Sequence, residues 1–205
     1  MIRRLVPTAR TFLRRLLGDS KGVTLVEFAF VGPVLIVMIM GIFDMSHTQY
    51  TNALLSGALQ KAGRDMTLES AGSRQAETDA RVRTQVLNLL PEGATVEFER
   101  LSHFDFTDIN EPEEFTDNNG DQICNNNEVF ADANDNGQWD PNRGRQGIGG
   151  ARDAVLYTAV VTYPRLFPMY ELIGMPSDVT LRSTTVLRNQ PFSAQDRSVD
   201  TGNCA

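Results

Sequence analysis

The chain has 205 residues with a formal net charge of −7, and hydrophobic residues make up 41% of it. This length suffices for one domain with a hydrophobic core plus an anchor, and the composition excludes a wholly disordered chain. The charge is unevenly divided: residues 1–22 carry six basic side chains and one acidic, whereas the remainder carries 13 basic and 25 acidic. An acidic body argues against binding to nucleic acid, because phosphates require a basic surface.

An apolar segment follows the basic start. Of the 21 residues from Val23 to Phe43, 16 are apolar, and a helix of that length spans roughly 30 Å, the thickness of the hydrocarbon core of a bilayer. Because the basic flank comes first, the positive-inside rule predicts a cytoplasmic leader at 1–22, a transmembrane helix at 23–43 and a periplasmic remainder. A cleaved secretory signal is the alternative, although such signals usually have a shorter apolar region.

A carboxylate interrupts the apolar segment. Glu27 lies four residues after Val23, and an unpaired charge inside the hydrocarbon core costs about 3 kcal/mol. A position near the headgroup boundary would reduce this cost. An ion pair with a neighbouring chain is the other explanation.

The residues around Glu27 resemble the processing site of type IV pilin-like proteins. Lys21 and Gly22 precede a run of Val, Thr, Leu, Val, Glu and Phe that begins at Val23. The resemblance implies that a prepilin peptidase cuts after Gly22. It also implies that Glu27 pairs with the new α-amino group of Val23 on a neighbouring subunit.

Residues 22–64 resemble the N-terminal segment of TadE-like proteins, the pseudopilins of the tight-adherence (Flp pilus) machinery. The matching features are Val26-Glu27-Phe28-Ala29, Pro33, Gly41-Ile42-Phe43-Asp44 and Ala62-Gly63-Arg64. The resemblance implies a minor pilin or pseudopilin in the bacterial inner membrane, with a single membrane pass. Its expected partners are other pilin-like subunits and the pilus assembly machinery, and its expected role is structural or in cell adhesion, with pilus association or surface exposure.

The remainder of the chain predicts an α+β domain. Apolar side chains recur on one helical face and extend the first helix through residues 44–72, and a second amphipathic helix is predicted over Gln75–Leu90. Alternating or β-branched segments predict strands at Thr95–Glu99, Ala154–Tyr163 and Val179–Leu187. We therefore expect residues 73–205 to form a small periplasmic, pilin-like domain in which the long helix packs on an antiparallel sheet.

An acidic loop is predicted at residues 103–142. The 42 residues between Arg100 and Arg143 hold 11 acidic side chains and no Lys or Arg. Within them Phe115–Asp121 repeats as Phe130–Asn136, at an offset of 15 residues. Asp and Asn at alternate positions place oxygen atoms on one side of a tight loop, as Ca²⁺ requires. Such loops resemble the calcium loops of dockerins, and a solvated, structureless acidic loop is the alternative.

Each repeat supplies a set of expected calcium ligands. The first loop offers Asp117, Asn119, Asp121, the carbonyl of Ile123, Asn125 and Glu128. The second loop offers Asp132, Asn134, Asn136, the carbonyl of Gln138, and Asp140. The first loop has Gln122 where the calcium-loop pattern places glycine, and the second has Arg143 where it places a bidentate carboxylate, which must come from elsewhere or be missing.

The two cysteines, Cys124 and Cys204, lie in the part predicted to be periplasmic, where a disulfide is permitted. A bond between them would close a loop of about 80 residues and stabilise the fold by roughly 4–5 kcal/mol through chain entropy. Two free thiols are the alternative.

Enzyme signatures are absent from the sequence. His47 and His103 are the two histidines, and no His-Glu-x-x-His or Cys-x-x-Cys spacing occurs. We therefore predict no catalytic residues and no enzyme. The main rival to the pseudopilin interpretation is an uncleaved, membrane-anchored periplasmic calcium-binding adhesin or sensor module. A periplasmic hydrolase on a membrane anchor is the third interpretation.

Overall fold

The computed structural model describes residues 22–67, 71–167, 170–191 and 193–205. Most of the predicted leader, residues 1–21, lies outside the described residues. The chain divides into two compact units, Met1–Met45 and Ser46–Ala205.

The first unit contains the start of a 44-residue helix, α1 (Val23–Met66), which continues into the second unit. Its most apolar window has a mean hydropathy of 2.4 and is long enough to cross a membrane. Large apolar side chains in this part are exposed, for example Phe30 at 78% and Leu25 at 73%. Because exposed apolar area of this kind is unfavourable in water, α1 anchors the chain to a membrane by a single pass.

The second unit contains an antiparallel sheet of four strands. Their order across the sheet is β3-β1-β4-β5, with bounds β1 Thr95–His103, β3 Arg145–Gln146, β4 Ala154–Pro164 and β5 Asp178–Arg188. A separate two-stranded sheet pairs β2 (Val129–Asp132) with β6 (Asp200–Asn203). Among the described residues, this unit also forms the helices α2 (Ala71–Leu87) and α3 (Tyr170–Ile173) and a 3₁₀ turn at Phe106–Asp108.

The hydrophobic core of the second unit lies between α1, α2 and the four-stranded sheet. Its buried side chains come from α1 (Leu55, Ala58, Leu59, Ala62, Met66), α2 (Val82, Val86) and the sheet (Val96, Val155, Tyr157, Ala159, Val161, Tyr163, Val179, Leu187). These helical positions recur every three or four residues, which places them on one face. The predicted α+β fold, with a long helix followed by a small antiparallel sheet domain, is confirmed.

Two side-chain contacts fix the direction in which α1 crosses the sheet. The Tyr163 hydroxyl donates to Thr48 Oγ1 at 3.2 Å, and the hydroxyls of Ser56 and Ser183 lie 3.0 Å apart. Within the second unit, α1 therefore enters beside the β4–β5 connection and runs along β5 toward its C-terminal end.

The strands are longer than predicted and the second helix is shifted. β1 continues four residues past Glu99, because it pairs residue for residue with β4 as far as His103 opposite Ala154. Helix α2 begins at Ala71 and ends at Leu87, because the next amides form tight i→i−3 turns just before Pro91.

A buried polar network ties α2 to the sheet. Asp79 on α2 accepts a hydrogen bond from the Tyr157 hydroxyl at 2.7 Å and forms an ion pair with Arg100. The Arg100 guanidinium also lies over the Tyr157 ring, 4.7 Å from its centre. Burial, helped by the Asp79 carboxylate, raises the pKa of Tyr157, so the phenol stays protonated and remains the donor.

If the second half of α1 is part of the core, Leu59→Ala should lower the free energy of unfolding by about 2–5 kcal/mol, since Leu59 is fully buried. Lys61→Ala, two residues away and exposed, is the control and should change it by less than about 0.5 kcal/mol. Denaturant unfolding of the full chain in detergent measures both. Equal effects would mean that α1 does not pack on the sheet.

Candidate functional site

The first acidic loop, residues 117–128, is closed around Asp117. One carboxylate oxygen of Asp117 accepts the Gly120 amide at 2.6 Å and the other accepts the Gln122 amide at 2.9 Å. Gln122 has a φ of 63°, in the left-handed region that favours glycine. Gln122 therefore adopts the backbone conformation that glycine would have at this position.

The second loop, residues 132–143, repeats this geometry. Asp132 accepts the amides of Asn136 at 3.1 Å and Gly137 at 2.8 Å, and Gly137 has a φ of 76°. The side-chain amides of Asn134 and Asn136 both donate to Asp140, at 2.8 and 2.5 Å. The sequence repeat is therefore also a repeat of local structure.

The polar side chains of the first loop converge on Asp121. Its Oδ2 accepts the side-chain amides of Asn125 at 2.7 Å and Asn119 at 3.0 Å, and its Oδ1 accepts the Ile123 amide at 2.9 Å. These donors, the Asn125 amide foremost, hold the pKa of Asp121 below its usual range. The cluster is therefore arranged around an ionised carboxylate.

A buried carboxylate caps the first loop. Glu128 is 1% exposed. Its Oε1 accepts the Asn118 amide at 2.6 Å, and its Oε2 lies 3.4 Å from the Asn125 amide. These amides belong to the second and ninth residues of the loop, so Glu128 closes the loop from its last position.

The second loop has an equivalent cap, which comes from outside it. Glu113 is 2% exposed, and its Oε1 accepts the amides of Ala133 at 2.8 Å and Asn134 at 3.3 Å. Its Oε2 accepts the Asp140 amide at 3.1 Å. Ala133 and Asp140 are again the second and ninth residues of the loop. Burial, with a smaller contribution from the charge of Asp132, raises the pKa of Glu113.

Glu113 is the residue that the sequence analysis missed. Arg143 occupies the position where a carboxylate was expected, and Glu113 supplies that carboxylate from 19 residues before Asp132. The signal was present, because Glu113 precedes Glu128 by the same 15 residues that separate the two loops. Extending the repeat two residues upstream of Phe115 would have found it.

The two repeats exchange their caps across a short antiparallel pairing. The Thr116 amide donates to the Val129 carbonyl and the Ala131 amide donates to the Glu114 carbonyl, both at 2.8 Å. Because the repeats are offset by 15 residues, the Thr116 amide corresponds to the Ala131 amide, and the Val129 carbonyl corresponds to the Glu114 carbonyl. The glutamate of each repeat therefore caps the loop of the other, with approximate two-fold symmetry.

A disulfide fastens the C-terminus to this paired unit. Cys124 and Cys204 are bonded, with their Cα atoms 5.3 Å apart. The Cys204 amide donates to the Glu128 carbonyl at 2.8 Å, and β6 pairs with β2 directly after Glu128. The predicted disulfide is therefore present in the structure, where it holds the chain beside the Glu128 cap.

Side-chain hydrogen bonds bring three of the expected calcium ligands together in each loop: Asn119, Asp121 and Asn125 in the first, and Asn134, Asn136 and Asp140 in the second. The described residues contain no group of three or more His, Cys, Asp or Glu side chains placed to hold a metal ion. Asparagine amides supply much of the polar lining, and their nitrogens point at Asp121 and Asp140. Calcium binding stays a prediction.

The residues of the expected processing site lie at the start of α1. Gly22 is the first described residue, the helix begins at Val23, and Glu27 follows one turn later on an exposed surface. Val23 and Glu27 thus share one face of the helix.

Comparison with known proteins supports the N-terminal resemblance. The model of the TadE-like protein family matches residues 22–64, so the predicted resemblance of this segment to TadE-like proteins is confirmed. The match indicates a component associated with the machinery of the tight-adherence pilus. Among curated proteins and solved structures, none matches the chain.

Removing the Glu113 cap should open the second loop. In Glu113→Ala the amides of Ala133, Asn134 and Asp140 lose their acceptor. Since an unsatisfied buried polar group costs about 1–3 kcal/mol, we expect a lower melting temperature and faster amide exchange at these three residues. Glu114→Ala is the control, because the Glu114 side chain is 81% exposed. Unchanged exchange in Glu113→Ala would contradict the cap.

Proposed function

We propose that this chain is a non-enzymatic minor pilin or pseudopilin, a structural or assembly component of a tight-adherence pilus or a related secretion system. The observation that carries the proposal is the match of residues 22–64 to the TadE-like family. Those residues are the apolar first part of α1 and most of the part that packs in the core.

The fold is suited to that role. The first part of α1 exposes apolar side chains that need a non-aqueous surrounding. Lipid supplies this before assembly, and the helices of other pilin-like subunits supply it within a pilus. The second unit carries the paired acidic loops.

The processing site supports the same proposal. Cleavage by a prepilin peptidase after Gly22 would place a new α-amino group on Val23, next to the start of α1. In an assembly of parallel helices, Glu27 of one subunit would pair with that amino group on another. This pairing would offset the cost of a carboxylate in an apolar environment.

We place the protein in the bacterial inner membrane, with residues 1–22 in the cytoplasm and the second unit in the periplasm. The basic leader and the acidic remainder support this orientation, and the disulfide between Cys124 and Cys204 suits an oxidising compartment. Pilus association or surface exposure would follow from assembly.

The proposed processing predicts that the mature protein begins at Val23. Gly22→Arg should block cleavage, because a bulky charged side chain replaces the smallest residue at the cut. Ser20→Arg adds the same charge two residues upstream and should be cleaved normally. Mass spectrometry of the membrane-extracted protein distinguishes the outcomes. An intact leader on the wild-type chain would favour the rival function, an uncleaved calcium-binding adhesin or sensor module.

Calcium binding by the paired loops is a second proposal, and Glu113 is the observation that favours it. With Glu113, both loops have alternating Asp and Asn oxygens together with a buried carboxylate. Oxygen-only ligands of this kind suit Ca²⁺. The asparagine side chains would turn so that their oxygens replace the amide nitrogens now facing Asp121 and Asp140.

Calcium should therefore stabilise the full chain in detergent. For a dissociation constant of about 10⁻⁴–10⁻³ M, Ca²⁺ at roughly 10 mM should add about 1.4–2.7 kcal/mol by mass action and raise the melting temperature. Magnesium at equal concentration controls for charge screening. Glu113→Gln and Glu128→Gln should each reduce the gain, whereas Glu114→Gln should leave it unchanged. A melt that is indifferent to calcium would overturn this proposal and leave the pilin proposal intact.

A further inference from the structure

Helix α1 enters the second unit at one end of that unit. Tyr163, whose hydroxyl contacts Thr48, pairs with Val179 at the start of β5. His47 Nε2 lies 3.2 Å from the Leu89 carbonyl, just after α2. The β4–β5 connection and the C-terminal end of α2 therefore meet the first turn of α1 in this unit. We call this the entry end.

Chain length keeps the entry end close to the membrane. Thr48 follows Phe43, the last residue of the apolar segment, by five residues. Five residues span about 18 Å when fully extended and about 7.5 Å in a helix, and α1 is helical here. A headgroup layer is itself about 5–8 Å deep on each side of the hydrocarbon core. The entry end is thus within reach of the headgroups.

Large apolar side chains are exposed at the entry end. Leu166 and Met175, both in the β4–β5 connection, are each 42% exposed, and Leu89 is 39% exposed. Tyr50, on the first turns of α1 in this unit, is 59% exposed. A tyrosine and exposed aliphatic side chains at the same end of a unit are typical of a surface at the boundary between lipid and water.

Two backbone hydrogen bonds join described residues of the connection that carries two of these side chains. The Arg165 amide donates to the Ser177 carbonyl, and the Met175 amide donates to the Tyr170 carbonyl, both at 3.0 Å. Leu166 and Met175 are therefore held close to the closed end of a hairpin. Acidic residues such as Glu92 and Glu171 accompany Arg165 at this end, so apolar contact and not attraction to anionic lipid would hold it to the membrane.

We propose that the entry end is a lipid-contact surface, in which Leu166, Met175 and Leu89 lie among the headgroups of the bilayer that holds α1. The proposal rests on the membrane anchor and not on the pilus role. In this arrangement the β4–β5 connection steadies the second unit on the membrane. The paired acidic loops follow the other end of β1.

The test uses the full chain in phosphatidylcholine vesicles that contain nitroxide-labelled lipid. Both native cysteines are in the disulfide, so Leu166→Cys or Met175→Cys provides a single thiol for a fluorescent label. Phe106→Cys is the matched control, because Phe106 is apolar and 49% exposed and follows the opposite end of β1. Labels at 166 and 175 should be quenched by the lipid at least twice as strongly as the label at 106.

Three other outcomes would overturn the proposal. Equal lipid quenching at 106, 166 and 175 would mean that the entry end does not touch lipid. Shielding of 166 and 175 from iodide without lipid quenching would indicate a protein neighbour. An Ile36→Cys label, within the apolar segment, should be quenched in every case. If the label at 36 is not quenched, α1 is not in the membrane and both the anchor and the lipid-contact surface are rejected. If it is quenched but the labels at 166 and 175 are not, only the lipid-contact surface is rejected.

Discussion

The structure depends on the packing of α1 against the antiparallel sheet. One continuous helix has two surroundings: its first part exposes apolar side chains, and its second part buries Leu55, Leu59 and Met66 against the strands. Hydrophobic burial is the main favourable contribution to folding, so the helix that anchors the chain also completes the core. The direction of α1 along β5 places the first residues of the helix in this unit beside the β4–β5 connection.

The paired acidic loops depend on a different principle, the satisfaction of buried polar groups. Glu113 and Glu128 are almost completely buried, and each accepts backbone amides from the loop of the other repeat. Glu128 closes the first loop from its last position, whereas Glu113 reaches the second loop from across the short pairing. The disulfide holds the C-terminal strand beside the same pairing. An acidic segment without a hydrophobic core of its own is thereby ordered.

Local patterns predicted α1, α2 and the three long strands, but not the short strands β2, β3 and β6 or the short helix α3. Helical and alternating periodicity identified α1, α2 and the long strands, because each buries one face. The extension of β1 past Glu99 depends on its partner β4, which no local pattern reveals. The repeat in the sequence revealed the pattern of expected ligands in the loops. The role of Glu113 depends on the way the two repeats face each other in space, which the sequence does not show. Gln122 adopts the left-handed backbone conformation at the position where the calcium-loop pattern has glycine.

The claim that α1 both anchors the chain and completes the core is tested most directly by comparing two soluble fragments that begin at different residues. The account predicts that residues 46–205, which keep the second half of α1, unfold in one cooperative transition. It predicts that residues 73–205, the domain expected from the sequence, lack this transition because Leu59 and its neighbours are missing from the core. Thermal unfolding of both fragments, followed by circular dichroism, provides the measurement. A cooperative transition at the same temperature in both would contradict the account.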